Sequence, residues 1–234
     1  PWDSWANSAE GKNGEILSGW KLRNSNKPAR ISEKHSETAF MTNRAMEFIE
    51  DSSDKPWFLH LSYIKPHWPY IAPAPYHNMF SQNQFNQVQR NEKQKENMNP
   101  VYKAFVETRV SKTFSKDEVR NTVMSGYMGL IKQIDDNLGR LFDFLEKKGN
   151  MNDTMIIFTS DHGDGLPRYK RELFDTGINV PFIILVPKKF SSWQKPGEKI
   201  YDLVSFLDIA PTVLDLAGVS IPVSYTHLRA HETQ

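Results

Sequence analysis

Apolar residues recur along this chain at two different spacings, and each spacing predicts a different element. From Asp117 to Lys148, the residues Val119, Val123, Tyr127, Leu130, Ile134, Leu138, Leu141 and Leu145 fall three or four positions apart, as one face of a long helix requires. Ser115 and Glu118 read as a capping box before it, Lys147 and Lys148 suit the negative end of its dipole, and Gly149 reads as its stop. Ala39, Met41, Ala45, Met46 and Ile49 predict a shorter helix capped by Ser36, and a third helix is expected over 209–217, with Asp208 as cap and Gly218 as stop. Short apolar runs at 57–63, 155–159 and 182–186 predict buried strands. Helices alternating with buried strands predict an α/β fold, a mixed and mostly parallel sheet sandwiched by helices.

The polar stretches divide the chain further. Residues 1–35 hold Gly11, Gly14, Gly19 and Pro28 without a sustained period, and read as a loop or peripheral segment outside the core. Between 65 and 75, Pro66, Pro69, Pro73 and Pro75 hold the backbone extended and stiff. Residues 81–99 are rich in Asn, Gln, Lys and Glu and read as a solvated excursion. The stretch 36–222 is read as one catalytic-type domain. The tail 223–234 breaks the pattern after Ile221-Pro222 and is similar to translated adapter DNA, so it is expected to be non-native.

Composition narrows the function classes. The 29 basic and 28 acidic residues are spread along 234 positions for a net charge of +1, which leaves no broad basic footprint for nucleic acid. No apolar run reaches the roughly 18 residues of a membrane span, so neither nucleic acid nor membrane is expected as a partner. With no cysteine, a disulfide, a thiolate metal site and a cysteine nucleophile are excluded from these residues. Opening at Pro1 without methionine, the chain is expected to be an N-terminally truncated or processed piece, and its compartment and oligomeric state stay open.

The chemistry concentrates in two loops. The strand at 155–159 delivers Asp161 and His162 together into a loop with Gly163 and Gly165. A carboxylate beside an imidazole suits zinc, manganese, iron or a similar cation, whereas calcium and magnesium prefer all-oxygen shells. The plainer alternative is that Asp161 caps the next segment and His162 is an ordinary loop residue. Lys65 and His67 bracket Pro66 directly after the strand at 57–63, so an ammonium and an imidazole could grip a sulfate or phosphate there. A surface lysine beside a packed histidine is the alternative. Arg168, Lys170 and Arg171 form a basic cluster downstream of the Asp161 loop, which suits an oxyanion or a merely solvated run. Asp135 and Asp136 tempt as paired carboxylates, but Asp136 has Lys132 and Arg140 four residues to either side on a helix, and the pair reads as structural.

Three ordered segments together resemble the sulfatase family of the alkaline phosphatase superfamily: 56–69 with its Lys65-Pro66-His67-Trp68-Pro69, the helical 126–139, and 158–164 with Asp161-His162-Gly163. Segments 100–105 and 114–120 look most like phosphonate monoester hydrolases and their arylsulfatase relatives, while 165–177 looks more like the sulfatases of sulfated glycans. The resemblance implies an alkaline-phosphatase-like fold, here incomplete, with Asp161 and His162 as metal ligands. It implies further that His67 contacts the substrate's sulfate or phosphate and that Lys170 binds the same anion or the leaving oxygen, both counted as catalytic, with Lys65 beside them in substrate binding. One divalent metal ion, calcium or manganese, is the expected cofactor. The family's formylglycine nucleophile, made in a Cys/Ser-x-Pro-x-Arg segment that this sequence does not contain, is expected upstream, so these residues alone are expected to be inactive. The function expected of the intact protein is metal-dependent hydrolysis of a small-molecule or glycan sulfate ester. A phosphonate monoester or phosphodiester substrate is the alternative within the superfamily. A carbohydrate-binding pseudoenzyme module is the alternative from another class.

Overall fold

The computed structural model describes residues 4–52, 54–86, 93, 96–163, 175–187 and 196–225. They belong to two compact units, Pro1–Phe190 and Ser191–Gln234.

In the first unit, the N-terminal segment, read from the sequence as a loop or a peripheral segment, contains a small hairpin. Strands β1 (Ser8–Glu10) and β2 (Ile16–Ser18) pair antiparallel, with Ala9 opposite Leu17, and Ala9 also bridges to Ala29. The Ala29 amide donates to the Ala72 carbonyl at 2.9 Å, and Ala9, Ala29 and Ile71 close into a small buried cluster. Strands of three residues carry no readable period, and alanine and serine are buried here by closeness of backbone, not by bulk. That is why the pattern concealed them.

Helix α1 (Glu37–Asp51) begins where the sequence places it, because the Ser36 hydroxyl accepts from the Ala39 amide at 3.2 Å and so satisfies one of the orphan donors of the first turn. Two short helices follow, α2 (Pro100–Val106) and α3 (Arg109–Phe114), capped by Asn99 and Thr108. Helix α4 runs from Asp117 to Lys148, and Gly149 ends it with φ of 77°, a conformation glycine adopts without steric cost. The expected capping box is absent: Lys116 occupies the N-cap, and Ser115 closes α3, its hydroxyl donating to the Lys112 carbonyl at 2.8 Å.

Helix α4 organises this unit. Ala45 and Ile49 of α1 meet Leu141 and Leu145 of α4, and Trp57, Leu59, Leu61 and Ile156 pack against that group. Nearer its start, Val123 and Leu130 join Leu22, Tyr70, Ala72, Tyr76 and Phe114. Between these clusters the apolar stripe gives way to a polar seam, since Gln133 and Asn137 are each 1% exposed. The Gln133 amide donates to the Ser36 hydroxyl at 2.7 Å, Asn137 donates to the Glu33 carboxylate at 3.2 Å, and Arg140 donates to Asn137 and Asn43. Gly126 and Gly129 face the backbone of 70–76. A Cβ at 126 would stand 2.5 Å from the Tyr70 carbonyl oxygen, and one at 129 would meet the Tyr76 carbonyl.

The expected mostly parallel sheet does not appear among the described residues. Segment 57–63 is extended and alternates like a strand, with Trp57, Leu59 and Leu61 against the helices and Phe58 68% exposed, yet it joins no ladder. Strands β3 (Ile156–Thr159) and β4 (Phe182–Leu185) pair antiparallel, Ile157 opposite Ile184. Only the single turn α5 (Asp175–Ile178) is described between them.

The second unit holds α6 (Ile209–Leu216). Asp208 precedes it as expected, but its carboxylate accepts from the Ser205 amide at 2.8 Å, closing the turn 206–208, and Gly218 follows the helix with φ of 68°. No helix among the described residues is long and apolar enough to cross a membrane. Of the tail 223–234, residues 226–234 lie outside the described residues.

Candidate active site

The first arm of the site is the loop 65–69. It leaves segment 57–63, which is anchored by Trp57, Leu59 and Leu61 on the helix pair and by Tyr63, whose hydroxyl lies 2.7 Å from that of Thr42 on α1. It enters 70–76, which the glycine step of α4 holds against the helix. The ends of the loop are therefore fixed at both sides. His67 is exposed, and its Nδ1 lies 2.6 Å from the Trp68 carbonyl oxygen. A carbonyl only accepts, so Nδ1 carries the proton and, in the neutral ring, Nε2 keeps a free lone pair.

Lys65 does not project from the loop as expected. Its side chain folds back, and Nζ donates to the Pro69 carbonyl at 2.9 Å and to the His67 carbonyl at 3.4 Å. Burial pushes its ammonium down to about 8, with the Glu37 carboxylate at the start of α1 pulling partly the other way. Glu37 is a charge that sequence reading missed here, since its place in the first turn of α1 suggests only a dipole role. Trp68 stacks obliquely on Trp20, with ring centroids 5.5 Å apart.

The second arm is the loop after β3. Asp161 is 86% exposed along its side chain, and its Oδ2 stands 3.7 Å from the Nε2 of His162. His162 Nδ1 donates to the Gly163 carbonyl at 2.7 Å, and the Ser160 hydroxyl donates to the His162 carbonyl at 2.8 Å. Here too the hydrogen bond leaves Nε2 as the lone-pair nitrogen. Metal-binding histidines are commonly oriented this way, one ring nitrogen tied to a backbone carbonyl and the other free for the ion. The loop is held by Gly163, whose amide donates to the Gly177 carbonyl at 2.8 Å. A Cβ at 163 would overlap the Thr176 carbonyl and stand 2.9 Å from the Gly177 Cα, so only glycine permits this approach.

The carboxylate oxygen and the imidazole nitrogen are neighbours at 3.7 Å. Two ligands do not complete a metal shell, and no group of three or more potential ligands occurs among the described residues. No hydrogen bond or ion pair joins Lys65 or His67 to Asp161 or His162 among them, although both arms leave segments that pack on the same α1–α4 cluster. Lys170, Arg168 and Arg171 lie outside the described residues. Asp135 and Asp136 serve α4 itself: both pair with Lys132, and Asp136 also accepts from the Tyr76 hydroxyl at 3.0 Å. Tyr76, not Arg140, is the second partner of Asp136. Burial and that carboxylate push the Tyr76 hydroxyl up to about 12.

The structure is similar to solved structures of the alkaline-phosphatase-like sulfatase fold. The phosphonate monoester hydrolase from Silicibacter pomeroyi matches it with a TM-score of 0.79 and 27% identity, over 95% of this chain and 44% of that one. The chain belongs to the sulfatase family, whose model matches residues 2–219. It is 33% identical to a multifunctional alkaline phosphatase superfamily protein of Trinickia caryophylli, over 84% of this chain and 41% of the relative. It is also 26% identical to an arylsulfatase of Clostridium perfringens, over 94% of this chain and 47% of the relative. The chain thus spans less than half the length of the curated relatives it matches.

Proposed function

We propose that the intact protein hydrolyses sulfate esters of small molecules or glycans, with Asp161 and His162 as two ligands of one divalent cation and His67 and Lys170 on the anion that is cleaved. The observation that carries the reading is the 3.7 Å approach of Asp161 Oδ2 to His162 Nε2, with His162 Nδ1 tied to the Gly163 carbonyl. A donor set that includes imidazole suits manganese better than calcium, which favours oxygen-only shells. A bound cation supplies positive charge that offsets the negative charge growing on the sulfuryl oxygens in the transition state.

The chain's own residues do the remaining work. His67 offers Nε2 to the substrate. In the neutral ring it accepts a proton there, and once protonated it donates to a sulfate oxygen or to the leaving oxygen. Lys170, assigned from its place in the motif, holds the same anion by its charge. The nucleophile is a formylglycine from a Cys/Ser-x-Pro-x-Arg segment, which is absent from these 234 residues, so turnover belongs to the intact protein and not to this stretch by itself.

Turnover of an aryl sulfate by the intact protein and by an Asp161→Ala, His162→Ala double variant tests the assignment. The variant is expected to lose at least roughly a hundredfold in kcat/KM, the scale of a lost Lewis acid worth several kcal/mol. Wild-type rates in it would sink the site. A second reading, hydrolysis of phosphonate monoesters, is favoured by the neighbour of TM-score 0.79. Faster turnover of a phenyl phosphonate monoester than of the aryl sulfate would establish that reading in its place.

A further inference from the structure

We propose that Lys65 is a positioning residue for His67 and not a ligand of the substrate anion: by donating to the His67 and Pro69 carbonyls it locks the loop in the one shape that presents His67 Nε2. The inference rests on the functional reading above only in taking His67 as the group that meets substrate.

Three bonds close on one another within five residues. The Lys65 ammonium donates to the Pro69 carbonyl at 2.9 Å and to the His67 carbonyl at 3.4 Å, and His67 Nδ1 donates to the Trp68 carbonyl at 2.6 Å. The lysine therefore holds the carbonyls on both sides of the one that fixes the histidine ring. Pro66 and Pro69 have no amide hydrogen, so backbone donors that would ordinarily tether such a loop are missing at two of its positions. The ammonium substitutes for them with charge-assisted bonds, about twice as strong as neutral ones. Lys65 is half-buried, and the Glu37 carboxylate at the start of α1 favours its charged form. Two of the three ammonium donors are thus spent on the loop's own carbonyls.

The alternatives separate cleanly in Lys65→Met, Lys65→Gln and Lys65→Arg. Histidine-labelled intact protein gives ring nitrogen shifts for His67, assigned by their loss in His67→Gln. Wild type is expected to show a single Nδ1–H tautomer. In Lys65→Met the two ring nitrogen shifts converge as the tautomers mix, and kcat for an aryl sulfate falls roughly 10- to 100-fold, the loss expected from about 1 Å of misplacement, with KM moving much less. Lys65→Arg and Lys65→Gln, which keep donors, recover part of both signals. Should Lys65→Met fail to fold by thermal melting, those two variants carry the comparison, and the tautomer and kcat must then shift together in proportion to the donor kept.

An unchanged His67 tautomer in the variants overturns the proposal. So does a rise of about tenfold or more in KM and in the inhibition constant of inorganic sulfate at unchanged kcat, which is the mark of a lost bond to a charged ligand. Complete absence of turnover in the wild-type protein would refute the functional reading alone, since the tautomer shift is read without substrate.

Discussion

At the scale of single residues, the site is built from hydrogen bonds to backbone carbonyls. His67 and His162 each spend Nδ1 on a carbonyl one residue ahead, so the lone pair of each neutral ring is on Nε2. The residue types were legible in the sequence because aspartate beside histidine, and histidine between prolines, each follow an extended apolar run. The direction of Lys65 was not legible, since a lysine's long stem reaches outward or inward with equal ease and only the carbonyls of this loop decide. Its burial gives a pH signature. The Lys65 ammonium loses its proton at about 8 in the fold against 10.5 when unperturbed, so between those values the unfolded chain binds more protons. Stability contributed by this group therefore rises with pH across that window and is lowest below it. The difference in unfolding free energy between wild type and Lys65→Met is expected to move toward the wild type between about pH 8 and pH 10.5 and to stay flat below about pH 7. Urea titrations across that range read it, and a flat difference throughout would show that the amine is not buried.

At the scale of elements, the long helix and its shorter companion follow the apolar period, and their ends follow glycine and serine chemistry. What the period did not reveal is the polar seam. Ile134 and Leu138 continue the stripe, but Gln133 and Asn137 take the buried positions, because facing them are a serine hydroxyl and a glutamate carboxylate, not an apolar surface. Ser36 is the pivot, since one oxygen accepts from the Ala39 amide and from the Gln133 side chain. Ser36→Ala removes a cap and strands a buried amide at once, and is expected to cost about 1–3 kcal/mol. Its urea midpoint should fall accordingly at unchanged slope. A loss below about 0.5 kcal/mol, within the range of ordinary surface substitutions, would mean that water replaces both bonds. The missing capping box teaches the converse lesson: Ser115 and Glu118 have the right spacing, yet Ser115 closes α3 and Lys116 takes the N-cap of α4.

At the scale of the whole molecule, the order of helices and extended segments was legible and the sense of strand pairing was not. Periodicity reports which faces are buried and is silent about which neighbour a strand finds. The same separation between scaffold and site predicts how metal removal behaves. The Asp161–His162 loop is fastened to α5 through Gly163, while the helical core rests on Leu141, Leu145, Ala45 and Ile49. Chelation of the intact protein is expected to abolish sulfate ester turnover while the helical melting midpoint moves by only a few degrees. Circular dichroism with and without chelator measures this, and collapse of the helices would show that the cation holds the fold. The glycine step of α4 has its own consequence for how such a chain can change over time. Gly126 and Gly129 are on the line where the backbone of 70–76 crosses the helix. One residue inserted between them would turn everything beyond by about 100°, setting a side chain in that crossing and displacing the strand of chain that carries His67. The spacing of these two glycines is therefore a count that the fold must keep, although neither carries a side chain.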